Sequence, residues 1–88
     1  MILRSCDMKA SIKFLGMHRI ITKIDRLDMP INANTSVSDA LEYTRERFPD
    51  LPIEKGMVIM TVNQEVSKPD RILRDRDIIE FLPLIAGG

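Results

Sequence analysis

One stretch of this sequence carries a clear helix signal, and its isolation among strand-like segments limits the fold more than any other feature. Ser36 is followed three residues later by Asp39, a capping-box variant that also places negative charge at the positive end of a helix. The residues that fall on one helix face then recur at spacings of three and four, namely Val37, Ala40, Leu41, Thr44 and Phe48. Pro49 ends the pattern, so one helix is predicted across a small α+β domain.

Before the helix, two segments have the composition of strands. Residues 10–14 alternate apolar and polar side chains, and residues 19–27 are rich in β-branched residues. With residues 16–18 as the turn, this pair predicts a β-hairpin. His18 is the single histidine and is expected to lie in solvent at the hairpin tip. Pro30 indicates that the second strand gives way to a connection.

After the helix, residues 57–62 predict a third strand, followed by a turn at Asn63 and Gln64 and a short strand in residues 65–68. Leu73 is predicted to be buried, within a charged segment, residues 71–77, that lies along the outside of the domain. In the final strand, residues 78–82, alternation turns Ile79 and Phe81 toward the helix and Glu80 and Leu82 outward. Pro83 cannot donate a ladder hydrogen bond, so regular pairing should end near it.

Composition restricts the class of protein. A chain of 88 residues holds one domain with one modest core. Its 13 basic and 13 acidic residues give a net charge of +0, which argues against a nucleic-acid partner. One cysteine, Cys6, cannot form an internal disulfide or hold a cysteine-ligated iron-sulfur cluster, and it is expected in the reducing cytosol. The sequence has no apolar run long enough to predict a membrane span.

The last residues form a distinctive tail. Leu84 and Ile85 follow Pro83, and two of the chain's 4 glycines are the final pair, Gly87 and Gly88. A glycine pair has no Cβ and can pass through a narrow channel of another protein. Apolar residues beside such an end are expected to anchor it in a partner's groove. Because a carboxylate accepts no nucleophile at neutral pH without activation, an activating partner is predicted.

Three motifs carry a resemblance to a known family. Phe81-x-Pro83-x-x-x-Gly87-Gly88, preceded by Asp75-Arg76-Asp77 and by Val62-Asn63, resembles the ubiquitin-like sulfur carriers of the MoaD/ThiS family, above all the small subunit of molybdopterin synthase. The resemblance implies a β-grasp fold, with a mixed sheet of four to five strands on one main helix and parallel first and last strands. Residues 1–7 are predicted to be an extension, because Met8 directly precedes the first strand pattern, with 8–82 as the domain and 83–88 as a flexible tail.

The family pattern has glycine at the positions of Arg76 and Gln64. A positive φ retained at Arg76 would strain a residue that carries a Cβ.

The resemblance also implies a mechanism. An E1-like enzyme, which holds ATP and magnesium, would adenylate the carboxylate of Gly88, and a sulfur donor would convert it to a thiocarboxylate. This chain would be a carrier rather than an enzyme and would hold no cofactor or metal itself. A larger synthase subunit would receive the tail, with Gly87 giving clearance. The residues implied in partner binding are Phe81, Leu82, Pro83, Leu84 and Ile85.

Other functions stay open from the sequence. The same activated carboxylate could join Gly88 to a lysine, as in a protein modifier. The sulfur could go to a thiamine precursor or a transfer RNA base instead of molybdopterin. A β-grasp interaction module with an incidental Gly-Gly end is the third possibility.

Overall fold

A mixed sheet forms the frame of the protein. The computed structural model describes residues 8–54 and 56–83. The elements in chain order are β1 (Lys9–Lys13), α1 (Gly16–Thr22), β2 (Arg26–Pro30), α2 (Val37–Arg47), β3 (Val58–Val62), β4 (Glu65–Val66) and β5 (Ile78–Pro83). The five strands lie in the order β2-β1-β5-β3-β4. The predicted extension (residues 1–7, including Cys6) and residues 84–88 lie outside the described residues.

Strand β5 occupies the centre of the sheet. It pairs in parallel with β1, where Ile12 lies opposite Ile79, and antiparallel with β3, where Met60 lies opposite Phe81. The remaining pairs, β1 with β2 and β3 with β4, are antiparallel. The predicted β-grasp arrangement and the parallel pairing of its first and last strands are both confirmed.

Helix α2 begins and packs as its sequence predicts. The Ser36 Oγ accepts a hydrogen bond from the Asp39 N–H at 3.2 Å, and Asp39 Oδ2 accepts one from the Ser36 N–H at 2.9 Å, which completes the capping box. Its buried face consists of Val37, Ala40, Leu41 and Thr44. These side chains share one core with the inward residues of β1, β3 and β5, including Ile12, Val62 and Ile79. After the helix ends, the Phe48 ring meets Phe14 edge-on.

The segment between β1 and β2 differs from its prediction. The predicted turn at residues 16–18 and the strand over residues 19–27 are wrong, because residues 16–22 form helix α1 and β2 starts at Arg26. The two strands still pair antiparallel, as in the predicted hairpin. Lys23, in the left-handed conformation at φ 65°, ends the helix with its N–H donating to Arg19 O. Strand β2 extends through Pro30, which the sequence assigned to a connection. Proline is tolerated there because β2 is an edge strand.

The turns after β3 carry backbone strain. Asn63 and Gln64 have φ values of 53° and 71° and join β3 to the predicted short strand β4 in the manner of a type I′ turn. Arg76, at φ 70°, also lies in the left-handed region. Positive φ is therefore kept at both positions where the family pattern has glycine, and the side chains there are strained. Leu73 is buried between these turns, as predicted.

Around Arg76, the amino ends of β1 and β5 are tied together by hydrogen bonds. The Lys9 N–H donates to Asp75 Oδ1 at 2.9 Å, and the Arg76 N–H donates to Lys9 O at 2.6 Å. Asp77 is buried and accepts from the Arg74 N–H at 2.8 Å and from Asn63 Nδ2 at 3.0 Å. This hydrogen-bonded region is called the closed end of the sheet below.

Candidate functional site: the carboxyl end of strand β5

The strand that leads to the predicted tail is paired on both sides through Glu80 and on one side, with β3, as far as Pro83. Pro83 lies opposite Val58 of β3, and Glu80 lies opposite Lys13 of β1. Because β1 and β5 are parallel, the carboxyl ends of both strands lie at the same edge of the sheet. This edge is called the tail end. It lies opposite the closed end and gives the tail a fixed point of departure.

The structure separates the predicted partner-binding residues into three environments. Phe81 is 4% exposed and packs in the core, so it anchors β5 rather than presenting a surface to a partner. Leu82 is half-buried on the outer face, the side of the sheet away from α2, and Pro83 is exposed. The remaining site predictions lie outside the described residues, namely Leu84, Ile85, Gly87 and Gly88.

Beside Leu82, the outer face changes from apolar to polar along β3 and β5, over one outward-facing pair of residues. Ile59, opposite Leu82 on β3, is half-buried and extends the apolar part. Glu80 lies on the same face, as alternation predicted, yet it is 8% exposed rather than solvated. Its neighbours across the ladder, Lys13 and Thr61, flank it, and Thr61 Oγ1 lies 3.5 Å from its Oε1 as a donor. A carboxylate here limits how far the apolar part of the face extends.

Helix α1 lies at the tail end, because it joins the carboxyl end of β1 to the start of β2. Arg26, the first residue of β2, is paired with Lys13, the last residue of β1. The inward side of α1 includes His18 and Thr22. The Thr22 hydroxyl donates to Ile24 O at 3.1 Å, which fixes the chain as it leaves the helix.

His18 is the residue whose environment differs most from its prediction. The predicted position in solvent at a hairpin tip is wrong, because His18 is 5% exposed on the inward side of α1. Burial lowers the pKa of its imidazole, because the charged form loses hydration. The neutral ring therefore acts as part of the packing at neutral pH. Among the described residues, no three His, Cys, Asp or Glu side chains lie close enough together to hold a metal ion.

Large apolar side chains are exposed around the tail end, and sequence reasoning missed most of them. They are Leu15, Met17, Ile20, Ile24 and Met57, and this set is called the apolar collar. The first four belong to α1 and its flanks, while Met57 directly precedes Val58, the partner of Pro83. The strand prediction concealed them, although Met17, Ile20 and Ile24 recur at helical spacings of three and four.

A shallow depression adjoins the collar between α1 and the start of β2. Its lining includes Arg19, Ile20, Lys23, Ile24 and Asp25. Arg19 Nε and Asp25 Oδ1 form an ion pair across it, with both side chains largely exposed. The part of the chain described here contains no helix of the length and apolar character needed to span a membrane.

Comparison with known proteins agrees with this geometry. The profile of the ThiS family matches residues 12–88. The molybdopterin synthase sulfur carrier subunit of Mycobacterium tuberculosis is 26% identical over 82 residues, which cover 92% of this chain and 99% of that protein.

Two solved structures show the same fold. The putative molybdopterin converting factor, subunit 1, of Pyrococcus furiosus has a TM-score of 0.77 at 20% identity, covering 89% of this chain and 99% of its own. The small archaeal modifier protein 1 of Haloferax volcanii has a TM-score of 0.76 at 13% identity, with 89% and 99% covered. With a family match over seven-eighths of its length and a ubiquitin-like β-grasp fold, the chain belongs to the ThiS family of sulfur carriers and is a homologue of the molybdopterin synthase carrier subunit.

Proposed function

We propose that this protein carries sulfur on the carboxyl group of Gly88 and delivers it in molybdopterin biosynthesis. The observation that carries the proposal is the position of β5, which is central in the sheet and ends at Pro83, five residues before Gly88. A rigid body that ends in a short tail fits a carrier better than an enzyme with its own active site. The family match, which extends through residue 88, supports the same assignment.

The chemistry begins with activation. The Gly88 carboxylate attacks the α-phosphate of ATP on an E1-like enzyme and releases pyrophosphate, which gives an acyl-adenylate. A sulfur nucleophile at the oxidation level of hydrosulfide then displaces AMP and leaves a thiocarboxylate. Thiolate sulfur is a strong nucleophile near neutral pH, whereas a carboxylate is a weak one. ATP and magnesium belong to the activating enzyme in this scheme, and the chain holds neither.

Delivery requires a second partner. A larger synthase subunit that binds the pterin acceptor would receive the tail, and the curated relative bears the name of such a synthase's carrier subunit. In this proposal Leu84 and Ile85 contact the subunit, and the half-buried pair Leu82 and Ile59 on the outer face adds to that contact. Gly87 gives the terminal carboxyl group access to a narrow site because it has no Cβ to clash with the walls.

The test combines the purified protein with the E1-like enzyme of the same organism, ATP, magnesium and sulfide. Intact mass spectrometry should show one oxygen-to-sulfur exchange, mapped to Gly88 by fragmentation. A chain with Gly88 deleted should show no exchange, and its melting temperature should match the wild type because a terminal glycine without a side chain contributes little packing. If the wild type forms no adenylate and gains no sulfur, the proposal is wrong.

A protein-modifier function is the second candidate, favoured by the likeness to small archaeal modifier protein 1. In native cells it predicts high-mass conjugates that disappear when Gly88 is deleted. The sulfur acceptor is tested separately by isolating the larger partner with the tail intact and identifying its small-molecule or RNA substrate. A thiazole precursor or a transfer RNA base bound there would redirect the carrier away from molybdopterin.

A further inference from the structure

The exposed apolar residues are concentrated at one end of the sheet. Within residues 8–54 and 56–83, seven large apolar side chains are exposed, and five of them form the collar. The remaining two, Val66 and Ile72, lie elsewhere, on the edge strand β4 and beside the start of α2. Single exposed apolar residues are ordinary, but a cluster beside a functional terminus is typical of a protein contact.

The same region is basic in a chain that is neutral overall. Residues 13–26 contain four cations, Lys13, Arg19, Lys23 and Arg26, and one carboxylate, Asp25, which gives a local net charge of +3. Arg19 pairs with Asp25, and the ion pairs of the described residues leave the other three cations unengaged. A partner's surface therefore complements the collar best when it has an apolar centre bordered by carboxylates.

The length of the tail determines which partner must reach this end. Five residues, the length of segment 84–88, span at most about 18 Å when fully extended. An enzyme that binds the Gly88 carboxyl group therefore has to bring its own surface to within that distance of Pro83. The collar is the surface it would meet, because α1 and Met57 lie on either side of the β5 exit.

We propose that the apolar collar is a docking surface for the adenylating enzyme, which covers it with an apolar surface bordered by carboxylates. This inference rests on the proposed carrier function and adds a contact made by the folded body beyond the tail. A second copy of this chain is a poorer occupant, because two surfaces of net charge +3 repel each other. Basic residues around the collar also attract an acidic enzyme before contact and raise the rate of encounter.

The test measures ATP–pyrophosphate exchange by the purified E1-like enzyme as a function of carrier concentration. Ile20 is 74% exposed, so Ile20→Asp should leave the fold intact. It should raise the KM for the carrier about tenfold or more and leave kcat within about twofold, since it alters binding away from the reacting group. Met17→Ser, a milder change at the same surface, should raise the KM about threefold.

Ile72→Asp is the matched control. Ile72 is also exposed but bridges Ser36 at the start of α2, far from the tail end, so its KM should equal that of the wild type. A KM for Ile20→Asp and Met17→Ser equal to that of the control overturns the inference. Self-association of the wild type that Ile20→Asp abolishes, with KM unchanged, would make a second copy the occupant and likewise overturn it.

Salt dependence tests the charge of the partner. Lys23→Gln should raise the KM about two- to fivefold at low salt, with the difference shrinking as ionic strength rises. A decrease in KM would mean that the enzyme surface is basic and would overturn the stated chemistry. The wild type distinguishes failure of the carrier function from failure of the docking proposal. If the wild-type protein supports no exchange, the proposed function itself is wrong. If all variants support normal exchange, only the docking role of the collar is wrong.

Discussion

The two ends of the sheet differ in their contacts within the chain: one is closed by hydrogen bonds, and the other exposes apolar side chains. At the closed end, backbone groups of Lys9, Arg74 and Arg76 are paired with the turn that precedes β5. At the tail end, the collar leaves large apolar side chains in solvent beside the last paired residue, Pro83. One end therefore supports stability within the chain. The other has the character of a surface that becomes satisfied on contact with another protein.

Among the variants that test this difference, Asp77→Ala at the closed end is expected to change the free energy of unfolding most. The change removes a buried carboxylate that accepts from Arg74 N–H and Asn63 Nδ2, leaving both donors without that acceptor. We expect a loss of about 2–3 kcal/mol in the free energy of unfolding, measured by urea denaturation. Asp70→Ala, at an exposed turn position, is the control and should cost little. Equal losses for both variants would show that the closed end is not a stabilising network.

Arg76→Gly should have the opposite sign. Because Arg76 adopts φ 70°, glycine relieves steric strain and should raise the free energy of unfolding by about 1 kcal/mol, less the added entropy of the unfolded chain. Thermal and urea denaturation measure the change. Arg74→Gly, in the same turn without a positive φ, should instead destabilise. A loss of stability in Arg76→Gly would indicate that the side chain contributes more than the strain costs.

A smaller effect, confined to acidic pH, is expected at His18. Its pKa is lowered in the folded protein by burial, so the unfolded state takes up a proton first as pH falls through about 6.5. The contribution to stability is present above that pH and is lost progressively as pH falls toward the folded pKa. Urea denaturation between pH 7.5 and pH 5 should show a steeper loss for wild type than for His18→Gln. Parallel pH profiles would contradict the burial of a titrating imidazole.

The smallest effect on stability is expected at the collar. Ile20→Asp should change the free energy of unfolding by less than about 0.5 kcal/mol, since the side chain is mostly exposed. The same unfolding measurement on Ile72→Asp gives the baseline for an exposed isoleucine elsewhere. A loss well beyond that baseline would mean that Ile20 packs within its own domain. The contrast between the two ends would then weaken.

Much of the fold follows from local chemistry that a sequence displays. The Ser36 and Asp39 cap, the inward face of α2, the strand β5 and its end at Pro83 are all set by hydrogen-bonding groups and periodicity within short windows. The β-grasp topology came from the family resemblance, because strand order depends on contacts between distant segments. Those distant contacts leave little trace in periodicity.

The region around α1 shows why the remainder could not be predicted. Ile20, Ile21 and Thr22 have β-branched side chains that suit a strand, and intrinsic preferences are weak for so short an element. What decides for a helix is tertiary: His18 and Thr22 are buried against the domain, while Ile20 is left outside. Exposure of Ile20 runs against its hydrophobicity, so a prediction that buries apolar residues would miss the collar. A prediction that exposes charged residues likewise misses the burial of Glu80 between two neighbouring strands.

The central position of β5 has a mechanical consequence. A pull on the terminal residues runs along β5 and loads its hydrogen bonds to β1 and β3 sideways, all at once, rather than one after another. A force applied at this terminus, by a partner or by an unfoldase, is therefore opposed by the hydrogen bonds to both neighbouring strands together. The folded body should therefore resist unfolding by a pull applied at this terminus.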